Sequence, residues 1–210
     1  LRARLTVTFI ALKQGLYTGL AADYCGVVQL ADLALPFAPQ QVIAPPAALL
    51  PQLLRLPSRS RCVHKGSHGH VLVIGGDSGY SGAVRMAAEA AARVGAGLVS
   101  IATRAAHAAV LNGGRPELMV HGVETAAALQ ALLDKASVVL IGPGLGQSAW
   151  AKALFAAAVA SALPMVVDAD ALNLLAADPR QRGDWVLTPH TGEAGRLLAK
   201  TSATIQADRY

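Results

Sequence analysis

Val71-Leu72-Val73-Ile74-Gly75-Gly76-Asp77-Ser78-Gly79-Tyr80-Ser81-Gly82-Ala83 reads as a short apolar strand, a glycine-rich loop and the start of a helix. Four consecutive apolar residues bounded by glycines suit a strand covered on both faces. The Ala-rich run from Ala83 to Val94 suits a helix laid back over that strand. Glycines between the two let backbone N–H groups approach an anion, and a helix N-terminus adds partial positive charge. They suit a tight strand-to-helix turn equally well. The spacing GxxGxxG matches neither the dinucleotide fingerprint nor a phosphate loop ending in Gly-Lys-Ser/Thr, so both readings stand.

The same unit recurs toward the C-terminus. Leu98-Val99-Ser100-Ile101 and Val138-Val139-Leu140-Ile141 read as strands, followed by a helix near Ala149 to Ala160. Met165-Val166-Val167, a short helix near Ala171 to Ala176, Trp185-Val186-Leu187 and a helix from Glu193 complete the series. Apolar strands alternating with helices predict an α/β fold, a parallel sheet with helices on both faces. Ligands of such sheets sit at the carboxyl ends of the strands, so the loops there are the places to look for chemistry.

Three further loops fall at that edge. Gly142-Pro143-Gly144-Leu145-Gly146 suits backbone contact with a flat or phosphorylated ligand, or a turn into the helix that holds Trp150. Val167-Asp168-Ala169-Asp170 brings two carboxylates to a strand end, where such groups hold a hydrated divalent cation beside phosphates. Asp168 is the expected metal-side residue, whereas Asp170 suits the cap of the next helix as well. In Thr188-Pro189-His190-Thr191-Gly192-Glu193, His190 can donate or accept near neutral pH, and Glu193 falls in a helix's first turn, where its charge suits the dipole. Lys65-Gly66-Ser67-His68-Gly69, before the first strand, offers a cation and flexible backbone that either reach over this edge or stay solvated.

Composition bounds the partners. The chain has 210 residues, 53% of them hydrophobic and only 4% aromatic, which favours helices packed on a sheet over an all-β sandwich. The formal net charge of +5 favours anionic ligands. Its basic cluster Arg55, Arg59, Arg61, His64 and Lys65 has no interleaved aromatics for base stacking, so nucleic acid is not the expected partner. Cys25 and Cys62 form no CxxC and indicate neither zinc nor a disulfide framework; a reducing cytoplasm is the expected compartment. The apolar run Leu5 to Leu12 is far short of a membrane span, and no membrane partner is expected.

Upstream, Thr6-Val7-Thr8-Phe9-Ile10 has strand content, followed by a loop with Gly15 and Gly19, in a piece too small to fold alone. Residues 36 to 61 hold Pro36, Pro39, Pro45, Pro46, Pro51 and Pro57, a density that prevents regular structure across most of a linker. Starting at Leu1 and stopping at Tyr210 inside an apparent helix, the sequence reads as a fragment.

Read together, these segments resemble the ADP- or ATP-dependent NAD(P)H-hydrate dehydratases, a branch of the ribokinase-like fold. The resemblance runs through His64-Lys65-Gly66, Ile74-Gly75-Gly76, Gly82-Ala83, Arg93-Val94-Gly95-Ala96-Gly97-Leu98-Val99 and Arg115-Pro116-Glu117-Leu118-Met119. It continues through Ile141-Gly142-Pro143-Gly144-Leu145-Gly146, Asp168-Ala169-Asp170-Ala171-Leu172-Asn173 and Thr188-Pro189-His190. Thr6 to Leu16 resembles the closing segment of the NAD(P)H-hydrate epimerase domain that bacteria fuse ahead of the dehydratase.

The resemblance implies a three-layer ribokinase-like sheet, incomplete at the C-terminus. It divides the chain into an epimerase remnant at 1–36, a proline-rich linker at 37–61 and the first part of a dehydratase domain at 62–210. The implied activity is phosphorylation of the ring hydroxyl of S-hydrated NADH or NADPH, then elimination of phosphate. ADP or ATP and Mg²⁺ are the implied cofactors, with K⁺ for the epimerase part, and a homo-oligomer is the implied assembly. Ala83, Gly144, Gly146 and His190 are implied substrate contacts, and Asp168 and Glu193 lie in the metal and phosphate region. The family's nucleotide-binding Lys-Gly-x-Gly-Thr segment and its catalytic Asp are expected after Tyr210, so the fragment alone is expected to be inactive. Thr191 stands where the family usually has Pro. A ribokinase-like vitamin or sugar kinase is the alternative enzyme, and a product that only binds nucleotide the non-enzymatic one.

Overall fold

A computed structural model describes residues 1–34 and 58–209. The chain divides into two compact units, Leu1–Ser58 together with Lys200–Tyr210, and Arg59–Ala199. Most of the expected linker lies outside the described residues.

In the first unit, β1 (Leu5–Phe9) pairs in parallel with β2 (Val27–Ala31), joined through the short helix α1 (Ala21–Tyr24). The strand read at Thr6 to Ile10 starts one residue earlier and ends at Phe9, because Ile10 turns to φ 70°. Leu5, Phe9 and Val27 stay exposed. A two-stranded ribbon with bare apolar side chains has little stability of its own.

The second unit is built on a parallel sheet: β3 (His70–Ile74), β4 (Leu98–Thr103), β5 (Met119–Gly122), β6 (Val138–Ile141), β7 (Met165–Val167) and β8 (Trp185–Leu187). The helices between them are α2 (Ser81–Val94), α3 (Ala105–Leu111), α4 (Ala126–Leu133), α5 (Ala149–Ala160), α6 (Ala169–Ala177) and α7 (Thr191–Leu197); α8 (Ser202–Ala207) belongs to the first unit. Side chains alternate across β3. Leu72 and Ile74 enter a core with Leu129 and Leu133 of α4, Leu154 of α5 and Leu172 of α6, whereas Val73 packs with Val84 and Ala88 of α2 and Leu111 of α3. Helices on both faces make the three-layer α/β arrangement that the strand pattern predicted.

The predicted strands β3, β4, β6, β7 and β8 all form, with β6, β7 and β8 at the expected bounds. The sequence reading passed over α3, β5 and α4. A four-residue strand containing His121 and Gly122 is too short and too polar to register as an apolar run.

Strand order fixes where a ligand belongs. The order is β5-β4-β3-β6-β7-β8, so the chain winds one way from β3 and the other way from β6. The neighbours β3 and β6 therefore flank the topological switch point, and the loops leaving their carboxyl ends part to opposite faces of the sheet.

Candidate active site

The loops after β3 and β6 interlock. The N–H of Gly76 donates to the Pro143 carbonyl at 3.0 Å, and the N–H of Asp77 donates to the Gly144 carbonyl at 2.7 Å. Gly142 holds φ at +129°, and a Cβ there would lie 1.7 Å from the Asp168 carbonyl oxygen. Gly144, at φ +60°, lies where a Cβ would come 2.7 Å from Tyr80 Cβ and 3.3 Å from Ala83 Cβ. The β6–α5 loop is thus wedged between the start of α2 and the end of β7, with room for glycine only.

Other glycines in the same stretch face open space. A Cβ at Gly79 or Gly82 would meet nothing within 4 Å. Tyr80, at the N-cap of α2, makes no side-chain cap bond, and the first turn carries no acidic residue. An uncapped helix N-terminus beside vacant space suits an anion. By contrast, Ser148 caps α5, accepting from the N–H of Ala151. The turn and cradle readings of the first loop are therefore divided among its glycines: Gly75 and Gly76 serve packing, whereas Gly79 and Gly82 leave space.

Neither carboxylate after β7 caps α6 with its side chain. Asp170, for which the sequence left a cap or a metal-side carboxylate open, instead accepts at Oδ2 from the N–H of Gly146 at 2.8 Å and ties α6 to the glycine loop. Asp168 occupies the N-cap position of α6 without a side-chain cap bond. Its Oδ1 accepts from Thr188 Oγ1 at 2.7 Å, linking the β7 and β8 loops. The reason is geometric: Asp170, inside the first turn, faces the adjacent loop after β6.

His190 caps α7. Its Nδ1 accepts from the N–H groups of Gly192 and Glu193 at 2.9 and 3.4 Å, and its Nε2 lies 3.2 Å from Glu193 Oε1. Glu193 Oε2 accepts from the N–H of His190 at 2.9 Å, completing a capping box. Glu193 is buried, with both carboxylate oxygens engaged by His190, while two-thirds of the His190 side chain remains exposed (66%).

The structure also assembles a charged network that sequence reading missed. Asp77 Oδ1 accepts from Arg104 Nε at 2.7 Å and from the N–H of Ser78 at 2.8 Å; Oδ2 accepts from Ser148 Oγ at 2.8 Å. Arg104 donates onward to Glu124 at 2.6 Å and lies over the Trp150 ring, 4.4 Å from its centroid. The signal was present, because Arg104 directly follows β4 and so stands at the edge where the other loops were read.

Burial alone would raise the Asp77 pKa, but hydrogen bonds from Arg104, Ser148 and Ser78, with the Arg104 charge, hold it below its usual 3.8. A carboxyl lowered by folding stabilises the native state fully above its unfolded pKa and loses that contribution as pH falls through the folded one. Stability from Asp77 is therefore constant near neutrality and disappears below about pH 4. Comparing acid unfolding of wild type with Asp77→Asn checks this, the variant being expected to lose less stability between pH 5 and the acid limit.

Among the described residues, no group of three or more His, Cys, Asp or Glu could hold a metal ion. That fits an ion such as Mg²⁺ only where phosphates and water supply most ligands and one or two carboxylates the rest. Asp168 fits that part, with Oδ1 oriented by Thr188. No helix among the described residues is long and apolar enough to cross a membrane. Grooves of about 320 and 300 Å³ lie away from this edge, on the outer faces of α5–α6 and α2–β5.

A parallel sheet with glycine loops and an open helix N-terminus at its switch point defines an α/β protein of the ligand-binding, doubly wound class. The chain belongs to the NAD(P)H-hydrate dehydratase (Carb_kinase) family, whose model matches residues 71–210. It is 55% identical over 212 residues to a bifunctional NAD(P)H-hydrate repair enzyme of Coxiella burnetii, covering 100% of this chain and 43% of that protein. A ribokinase-like superfamily protein of Enterococcus faecalis V583 superposes with TM-score 0.65 and 32% identity, over 70% of this chain and 54% of that one. An ADP/ATP-dependent NAD(P)H-hydrate dehydratase of Bacillus subtilis, co-crystallised with ATP and Mg²⁺, superposes with TM-score 0.61 and 26% identity, over 73% and 56%. The fold is thus ribokinase-like, and the chain spans less than half the length of the Coxiella relative.

Proposed function

We propose that this chain contributes the hydrate-binding part of an enzyme that dehydrates the S form of NADH or NADPH hydrate at the expense of ADP or ATP. The carrying observation is that Gly144 packs against Tyr80 and Ala83 at the uncapped start of α2 and Gly146 against Asp77 of the preceding loop, in a chain of this family. His190, with its exposed imidazole, and the open space at Gly79 and Gly82 complete the proposed hydrate contacts.

Phosphoryl transfer depends mainly on positioning and on stabilising charge. In this reading the N–H groups at the start of α2 face the phosphate-bearing part of the ligand, where the helix dipole favours negative charge. The β6–α5 loop, held from both sides, presents backbone to the nicotinamide portion. Asp168 is the carboxylate toward the nucleotide's Mg²⁺, which supplies charge neutralisation on the phosphates. Glu193 supports His190 and lies behind it.

Residues 1–36 are proposed to close an epimerase domain that uses K⁺, with 37–61 joining it to the dehydratase part at 62–210. A cytoplasmic homo-oligomer is the proposed setting. The complete protein carrying this chain, incubated with hydrated NADH and ADP or ATP, is expected to restore the absorbance of the reduced ring. No recovery with either nucleotide rejects the dehydratase. A stable phosphorylated product without elimination would instead establish a small-molecule kinase.

A further inference from the structure

The β6–α5 loop is gripped by a carboxylate on each side. On the β3 side, the N–H of Asp77 donates to the Gly144 carbonyl at 2.7 Å, and Asp77 Oδ2 accepts from Ser148 Oγ at 2.8 Å. Asp77 is itself fixed by Arg104 Nε at 2.7 Å, and Arg104 by Glu124 at 2.6 Å. On the β7 side, Asp170 Oδ2 accepts from the N–H of Gly146 at 2.8 Å. A Cβ added at Gly146 would stand 3.3 Å from Asp77 Oδ2, so the first carboxylate also abuts the glycine that the second one holds.

This arrangement costs the protein buried charge. The Asp77 side chain is only 14% exposed and Arg104 24%, and a partly buried, hydrogen-bonded ion pair holds its groups in one geometry. What it positions is the backbone of left-handed Gly144 and Gly146, on either side of Leu145, whose side chain is buried in the core and anchors the stretch from below without fixing the direction of the glycine amides.

Resting on the dehydratase reading, we infer that Asp77 and Asp170 are positioning residues that fix the Gly144–Gly146 backbone for the hydrated nicotinamide, Asp77 acting through Ser148 and locked by Arg104. Neither is a catalytic residue. Displacing a binding loop by about 1 Å costs up to a hundredfold in use of a ligand it orients.

Two readouts in the complete protein test this. In Asp77→Asn and in Asp170→Asn, amide exchange at Leu145 and Gly146 should quicken at least tenfold, with the amides of β3 and β6 unchanged. In the same variants KM for the hydrate should rise tenfold or more while KM for ADP moves less than twofold. Ser148→Ala should reproduce the Asp77→Asn effect, and Ser148→Thr, which restores the hydroxyl, should reverse it. Exchange unchanged at the loop, or quickened throughout the sheet, overturns the inference, as does a parallel rise in both KM values. Should wild type lack dehydratase activity while the loop-confined exchange appears, the dehydratase reading fails and the clamp stands.

Discussion

Gly142→Ala should destabilise the complete protein by about 3–5 kcal/mol, the sum of left-handed backbone strain and overpacking at a site with no slack. A Cβ at this position would lie 1.7 Å from the Asp168 carbonyl oxygen, and the obstruction is backbone, which cannot rotate aside. Relief requires parting β6 from the start of α6, which breaks the Asp168 N–H bond to the Ile141 carbonyl as well. Against a typical total of 5–15 kcal/mol, such a loss should be plain in the urea midpoint. Gly82→Ala is the contrasting case. Nothing lies within 4 Å of its added Cβ, and alanine favours a helix by about 0.5–1 kcal/mol. It should leave stability unchanged or slightly higher, yet weaken hydrate use if the space beside it belongs to the ligand. A Gly142→Ala protein as stable as wild type would contradict the packing described for this edge.

His190→Ala should be harmful in two separable ways. Loss of an N-cap costs about 1 kcal/mol. The buried Glu193 also loses its side-chain partner, adding about 1–3 kcal/mol for a polar group left unsatisfied. His190→Asn keeps a good capping residue and should recover the cap part of that loss, leaving only the cost at Glu193 Oε1. If the imidazole meets the hydrate, both variants should lose roughly a hundredfold in kcat/KM, the scale of removing one oriented donor. Kinetics on the two, read beside their melting curves, separate the roles. Full activity in His190→Asn would reduce the histidine to a helix cap.

In the sequence His190 stands as a group that donates or accepts at the strand edge and, by the family resemblance, as a substrate contact. The capping box adds a structural role that was not legible there, because a histidine three residues before a glutamate carries no distinct capping signature; Ser, Thr, Asp and Asn are the usual caps. Asp170 illustrates the same limit. An acidic residue at the start of a helix suits a cap, and only the neighbouring strand's loop reveals that Gly146 claims its carboxylate.

Apart from α3, β5 and α4, the order of strands and helices from Val71 onward was written in the sequence, because burial on both faces demands apolar runs and the crossovers demand helices between them. So was the strand edge on which the glycines, Asp168 and His190 would gather, since a parallel sheet sends every such loop to one side. Tertiary structure alone decided which glycines fill a wedge and which leave a space. It alone joined Asp77, Arg104, Glu124 and Ser148 into one network, since residues 20 to 71 positions apart meet only through strand order. Periodicity records how each segment faces the core; a hydrogen bond across a switch point depends on which loops end up side by side, and no local pattern encodes that.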